Sequence, residues 1–358
     1  MKNARQKKIA VALSGGVDSA VAAALLVRDG YAPTAFFARG WSPKESRCDW
    51  AAEERDAMRV AAFLGIPFRS IDLGGEYERL VVAPLLDGYR RGMAVNPDVW
   101  CNKSIKFGAL LAAARAEGFA ELATGHYARR EDVGGEARLY RGVDSAKDQS
   151  YFLWALSQDE LRAARLPLGN LQKSEVRKIA KSAGIPVAEK ADSQGVCFVG
   201  EMDFKDFLRA RLSPLPGDAL DESGKVVGRH DGASLYVAGE RISVSSARPD
   251  LRGKALYVLT GNVSENTLTV TAESEPPRGP VKILLSSVSE TAPGSFGRAS
   301  TCQLRYRSAP ANISVPPSDG CLTLDSAPFA LTPGQSAVLY AEDGECLGGG
   351  EVSSWLPA

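Results

Sequence analysis

The 358-residue chain lacks any apolar run approaching the roughly 18 residues that a membrane-spanning helix needs. It also lacks an apolar stretch at its start, so the sequence reads as a soluble, cytoplasmic protein with no membrane partner. Net charge is missing too, since 43 basic residues balance 43 acidic ones. No global field advertises a polyanionic partner, and any nucleic-acid contact must come from local clusters. Histidine is scarce, with only His126 and His230, and no CxxC pair accompanies them, so no metal site is expected. Six cysteines are too sparse for a disulfide scaffold. Two common phosphate loops are absent as well: neither GxxxxGK[ST] nor GxGxxG occurs.

What is present is SGGVDS, residues 14–19. The preceding KKIAVAL reads as a buried parallel strand, a short apolar run rich in branched residues. SAVAAALLVRDGY follows with helical character, placing Val21, Leu25 and Val27 near one face and ending at Gly30. At such a strand–loop–helix junction glycines let the backbone approach a ligand, and the free N–H groups of the helix start favour an anion. A plain tight turn would need neither Ser14 nor Asp18 nor Ser19, so we read a phosphate-binding loop. SGGxDS after an apolar strand resembles the loop of the PP-loop ATP pyrophosphatases, which implies ATP, with Mg2+, and transfer of AMP to a substrate oxygen.

Up to about residue 210, strand-like IAVAL, PTAFFAR, FRSIDL and AELATG alternate with helical AAEERDAMRVAAFLG and KSIKFGALLAAARAEG. That alternation predicts a doubly wound α/β sheet whose ligands sit at the carboxyl ends of the strands. From Leu212 the texture changes to prolines, turns and short β segments: ALYVL, TLTVTA, VKILL, STCQLRYR, CLTLD and SAVLYA. Pro276-Pro277-Arg278-Gly279-Pro280 reads as a linker. The expected units are a catalytic domain over 1–212, a small β-rich domain over 213–279 and a β-barrel over 280–358. The basic run in 162–181, with Arg162, Arg165, Lys173, Arg177, Lys178 and Lys181, reads as a solvated helix face.

Cys101, in NPDVWCNKSIKF, is expected in a loop just before a helix, with Lys103 and Lys106 close enough to favour its thiolate. Cys197, in ADSQGVCFVG, occupies a second polar loop. Cys48, Cys302, Cys321 and Cys346 read as packing residues.

Together these segments resemble the tRNA-specific 2-thiouridylases nearly end to end: SGGVDS, NPDVWCNKSIKF, ATGHYAR (123–129), KDQSYFL (147–153), DSQGVCFVG (192–200), RYR (305–307), TPGQSAVLY (332–340) and CLGGG (346–350). The resemblance implies a PP-loop (adenine nucleotide α-hydrolase-like) domain followed by two small β modules. It further implies an enzyme that adenylates O2 of the wobble uridine and replaces it with sulfur. By the same resemblance Ala12, Leu13, Ser14, Gly15, Gly16, Val17, Asp18, Ser19, Ala38 and Gly125 would contact ATP. Asn96, Pro97 and Asp98 would meet the target base, and His126, Lys147, Asp148, Gln149, Arg305, Tyr306 and Gln335 the tRNA. Cys101 would be the nucleophile, and Cys197 would carry a persulfide delivered by a sulfur-relay protein or a cysteine desulfurase. A Cys101–Cys197 disulfide would close each turnover and be reopened by a reductant. Asp98 is the nearest proton handler for the base, with helix capping as the alternative.

Two departures stand out. Relatives carry GQRKGLG where this chain has Gly239-Glu240-Arg241-Ile242-Ser243-Val244-Ser245, so Glu240 replaces an amide and Ile242 a cation expected to face phosphate. Ala38 stands where a methionine usually lies beside the adenine. The departures keep two alternatives in view, a non-catalytic tRNA-binding or sulfur-carrying paralogue and another PP-loop ligase.

Overall fold

The computed structural model describes residues 7–43, 50–192, 202–244, 254–272, 279–326 and 331–358. Up to residue 165 its strands are β1 (Lys8–Ala12), β2 (Ala32–Arg39), β3 (Phe68–Asp72), β4 (Leu122–Ala123), the hairpin β5 (Ala128–Val133) and β6 (Glu136–Arg141), and β7 (Ala164–Arg165). A fully parallel sheet forms from five of them in the order β3-β2-β1-β4-β7. Side chains alternate across β1 because successive residues of a strand point to opposite faces. Ile9 and Val11 join one apolar cluster with α1 (Val17–Arg28) and α2 (Trp50–Leu64), while Ala10 joins another with the helical stretch over 97–116. Helices on both faces make this the doubly wound sheet expected from the alternation.

The small central module holds β8 (Gly217–Leu220), β9 (Val226–His230), β10 (Arg241–Ile242), β11 (Leu256–Asn262) and β12 (Thr267–Thr271), ordered β10-β11-β12-β8-β9. The last module contains β13 (Val281–Glu290), β14 (Thr301–Gln303), β15 (Ala311–Ser318), β16 (Cys321–Leu324), β17 (Ser336–Tyr340) and β18 (Glu345–Pro357). These pair as β13-β16-β15-β14-β17-β18, and β18 returns to β13, so the expected β-barrel closes with six strands. Cys302 and Cys346 are fully buried there, and burial pushes both thiols up to about 12, as fits packing residues. Cys321 is half-buried, and Cys48 lies outside the described residues.

One pairing crosses between modules. The start of β18, Glu345 and Cys346, pairs with Tyr140 and Leu139 of β6, so the barrel grips a hairpin of the first module. Glu345 is completely buried and receives Arg298 at 2.7 and 2.8 Å and Arg138 at 3.4 Å. A buried carboxylate is tolerated because two guanidinium groups satisfy it. Trp154 Nε1 donates to Ser336 Oγ at 3.1 Å, and Tyr151 OH donates to Ser336 O at 3.1 Å. Among the described residues no helix is long and apolar enough to cross a membrane.

Candidate active site

Residues 14–19 leave the carboxyl end of β1 and enter α1, whose N-cap, Gly16, brings no side-chain acceptor to the helix start. The two serines stiffen the loop: Ser19 Oγ accepts from Ser14 N at 3.1 Å and donates to Gly16 O at 3.0 Å. Orphan N–H groups at a helix start favour an anionic ligand. The side chains around the loop are mostly cations, each parked on a carboxylate. Lys173 Nζ donates to Asp18 Oδ1 at 2.6 Å and lies 2.8 Å from Asp192 Oδ1. Lys147 Nζ donates to Asp192 Oδ2 at 2.8 Å, and Arg177 also binds Asp192. Lys190 Nζ meets Glu53 at 2.9 Å, Asp56 at 2.8 Å and the carbonyl of Gly15 at 3.3 Å. Burial would raise the carboxyl of Asp192, but hydrogen bonds from Lys147 and Lys173 outweigh it and hold the group well below the usual carboxylate range. For Lys190 burial pulls downward while Asp56 and Glu53 pull upward, with a net rise. Carboxylate and phosphate oxygens recruit the same donors, so this cradle fits a polyphosphate.

Three residues after β4 knit the site together. Gly125 packs so closely that a Cβ there would lie 2.8 Å from Ser19 N and 2.9 Å from Asp18 C, which only glycine permits. Tyr127 OH donates to Asp18 Oδ1 at 2.7 Å. Between them His126 is buried, with Nδ1 2.7 Å from Thr124 Oγ1 and Nε2 3.1 Å from Asn102 Oδ1. Burial, aided by Lys106 at 3.4 Å, pushes the imidazole well below its ordinary pKa and keeps it neutral. Asn102 is the neighbour of Cys101, so this tripeptide joins the 14–19 loop to the thiol.

Cys101 is a buried, reduced thiol inside the helical stretch over 97–116, not in a loop ahead of it. From Cys101 to Leu110 the backbone is wound more widely, with i→i+5 bonds, a form found often at functional sites. Lys103 does not serve the thiol as expected; its ammonium binds Glu160 Oε2 at 2.5 Å. The capping alternative for Asp98 is overturned as well. Asn96 is the N-cap, with Oδ1 accepting from Asp98 N at 3.0 Å, and Pro97 occupies the first turn. That leaves the half-buried Asp98 carboxyl uncommitted to capping; burial pushes it up, partly offset by Lys106. Cys197, and with it any Cys101–Cys197 pairing, lies outside the described residues.

The expected tRNA contacts fall into distinct settings. Lys147 pairs with Asp192, and Gln149 holds the main chain of Tyr127, whose hydroxyl reaches Asp18 of the 14–19 loop. Asp148 is buried and accepts from Arg141, Gly142 N, Ser150 N and Ser150 Oγ at 2.9–3.1 Å, which occupies both its oxygens with internal donors. Arg305 donates to Ala238 O at 2.8 Å, tying barrel to central module, and Tyr306 packs on Phe152 with ring centroids 4.4 Å apart. Gln335 Oε1 accepts from Thr332 N at 3.2 Å inside the TPGQ turn. Ala38 sits half-buried in β2 against the core.

The reading of residues 239–245 needs correction over its described part. Ile242 is 4% exposed and belongs to the core of the central module, while the preceding Arg241 points outward, as strand alternation demands. A lysine at 242 would therefore be buried rather than face phosphate. Glu240 is neutralised by an ion pair with Lys205. The run over 162–181 was also misread in part: Lys173 and Arg177, one turn apart, face Asp192, while Lys178 and Lys181 are the solvated ones. Their four-residue spacing was the available signal. Nothing local in the sequence pointed to Asp192 as their shared partner.

Family models match in chain order. Residues 7–201 match the tRNA methyl transferase HUP domain, 205–272 the tRNA methyl transferase PRC-barrel domain and 285–352 the aminomethyltransferase beta-barrel domain. The tRNA-specific 2-thiouridylase MnmA of Aeromonas salmonicida is 41% identical, covering 98% of this chain and 98% of that protein. Those of Ralstonia pickettii and Akkermansia muciniphila are each 40% identical, covering 99% and 98% of this chain and 98% and 99% of their own lengths. Identity at this level from end to end spans all three modules and the segments that build the site. The chain belongs to the tRNA-specific 2-thiouridylase family.

Proposed function

We propose that the chain is an ATP-dependent tRNA uridine 2-sulfurtransferase acting on the wobble uridine. The observation that carries this reading is the end-to-end similarity to 2-thiouridylases. The site supports it chemically. A uridine O2 is a poor leaving group; attack of O2 on the α-phosphate of ATP expels pyrophosphate and makes departure the loss of AMP. Lys173, Lys147, Arg177 and Lys190 would receive the phosphates as they leave their carboxylates, and Asp18 would help hold the accompanying Mg2+. Methyl transfer, which the wording of the family models suggests, would need no such cradle.

Asp98, its carboxyl raised by burial, would take the proton of the base. In the sulfur step Cys197 would carry Cys–S–SH from a relay protein or desulfurase. The Cys101 thiolate attacks Sγ of Cys197, hydrosulfide leaves and displaces AMP at C2, and two external thiols (or one dithiol) then reopen the resulting disulfide, becoming oxidised to a disulfide themselves. We take the working units as 1–212, 213–279 and 280–358, in the cytoplasm where tRNA is modified. The alternative of a non-catalytic paralogue loses its motive, because Ile242 is a core residue and Glu240 is paired with Lys205.

The test is nucleoside mass spectrometry of tRNA from cells lacking the protein, where 2-thiouridine should vanish. With purified protein and tRNA, ATP should yield AMP and pyrophosphate; ADP as the main product would refute the loop assignment.

A further inference from the structure

Lys147-Asp148-Gln149 reaches the nucleotide loop along two lines that end on one atom. The first runs from Lys147 through Asp192 and Lys173 to Asp18 Oδ1, by contacts of 2.8, 2.8 and 2.6 Å. The second runs through Tyr127. Gln149 holds the main chain of that residue on both sides, accepting from Tyr127 N through Oε1 at 3.0 Å and donating its own N–H to Tyr127 O at 2.8 Å. Tyr127 OH then donates to Asp18 Oδ1 at 2.7 Å.

The two lines differ in stiffness. Partly exposed ion pairs rearrange readily and are screened by salt. The second line consists of two bonds on the Tyr127 main chain, one from the Gln149 main chain and one to its side chain, and a phenol only 2% exposed. Burial, then the neighbouring Asp18 charge, pushes the phenol well above its usual pKa, so it stays a donor. Gly125, two residues earlier, rests against Ser19 and Asp18, so a shift of Tyr127 presses on the loop itself.

Resting on the reading that residues 147–149 meet tRNA, we propose that Tyr127 is a positioning residue that couples tRNA binding to ATP binding at the loop. RNA that moves Gln149 moves the Tyr127 main chain, and the hydroxyl reorients Asp18. Linkage makes the effect reciprocal: bound ATP alters the affinity for tRNA by the same factor.

The test measures affinity for Mg2+ and α,β-methylene ATP in the full chain, with and without saturating unmodified tRNA whose anticodon begins with uridine. In the wild type tRNA should change that affinity by about 5-fold or more, the usual range of such coupling. Tyr127→Phe keeps the ring and should bring the factor below about 2-fold, while each ligand alone still binds; a merely structural residue would weaken both ligands and leave the factor alone. Gln149→Met, which removes the Oε1 acceptor, should also reduce the factor at saturating tRNA, and it serves if Tyr127→Phe does not fold. Asp192→Asn breaks only the first line and should preserve the factor. A wild-type factor near one with tRNA bound overturns the proposal, as does a factor that survives Tyr127→Phe or disappears in Asp192→Asn. Failure of the wild type to bind tRNA at all overturns the functional reading as well.

Discussion

At Asp98 two influences oppose one another: burial raises the carboxyl pKa and the Lys106 ammonium lowers it, with a net rise above the ordinary carboxylate value. A carboxyl that accepts the proton of the base must first be ionised, so thiolation should climb as pH rises through that raised value. Lys106→Met removes the lowering influence and should shift the acid limb of the kcat profile to higher pH, whereas Lys106→Arg should leave it near the wild-type position. Asp98→Asn should abolish the limb together with most activity. The sign for stability is the reverse of the common carboxylate case. The folded chain holds this proton more tightly than the unfolded chain, so Asp98 costs stability as pH rises through the window between the two values. The NPD motif was legible in the sequence, but the division of labour within it was not. Asn96 and Asp98 are both good caps, and only the backbone geometry assigns the cap to Asn96 and frees Asp98.

Among the elements, the helix Lys173–Ser182 shows how a charged run hides two settings. Val176 and Ala180 anchor it in the core, which turns Lys173 and Arg177 toward Asp192 and leaves Lys178 and Lys181 in solvent. If Asp192 occupies cations that the phosphates of ATP will need, ligand and carboxylate compete. Asp192→Asn should then tighten ATP binding by up to about 5-fold, the factor matching about 1 kcal/mol for a part-exposed ion pair. Weaker binding in a titration of the folded variant would mean that Asp192 helps the nucleotide instead of displacing it. The strands β1 to β3 and the helices around them were legible because apolar runs repeat at the periods that burial imposes. The hairpin β5–β6 was not: ARREDV and EARLYR carry many charges and become strands by pairing with each other and with β18, some two hundred residues away. Ile242 was misread for a related reason, since a two-residue strand gives too little alternation to reveal which side chain points inward.

Across the whole molecule the barrel bears on the site itself, because its TPGQ turn supports the segment that leads into it. Pro333 O accepts from Ala94 N at 2.7 Å, two residues before Asn96. Trp100 Nε1, beside Cys101, donates to Glu351 Oε1 of β18 at 3.1 Å. Within that turn the tightest approach is at Gly334. Its φ is +87°, and a Cβ there would stand 3.0 Å from Ala94 N and 3.1 Å from Met93 Cβ. Gly334→Ala therefore meets both backbone strain, about 1–3 kcal/mol for a non-glycine residue held there, and a steric push against residues 93 and 94. The loop over 14–19 is built from other parts of the chain, the end of β1, the start of α1 and the residues after β4. The variant should lose that much stability in denaturant unfolding, keep ATP affinity near the wild-type value, and thiolate tRNA at least several-fold more slowly because the Asn96-Pro97-Asp98 turn is displaced. Replacing Gly334 should thus separate base positioning from ATP binding. If kcat for thiolation were unchanged in a variant that showed the expected loss of stability, the barrel would be holding the chain together without placing the base.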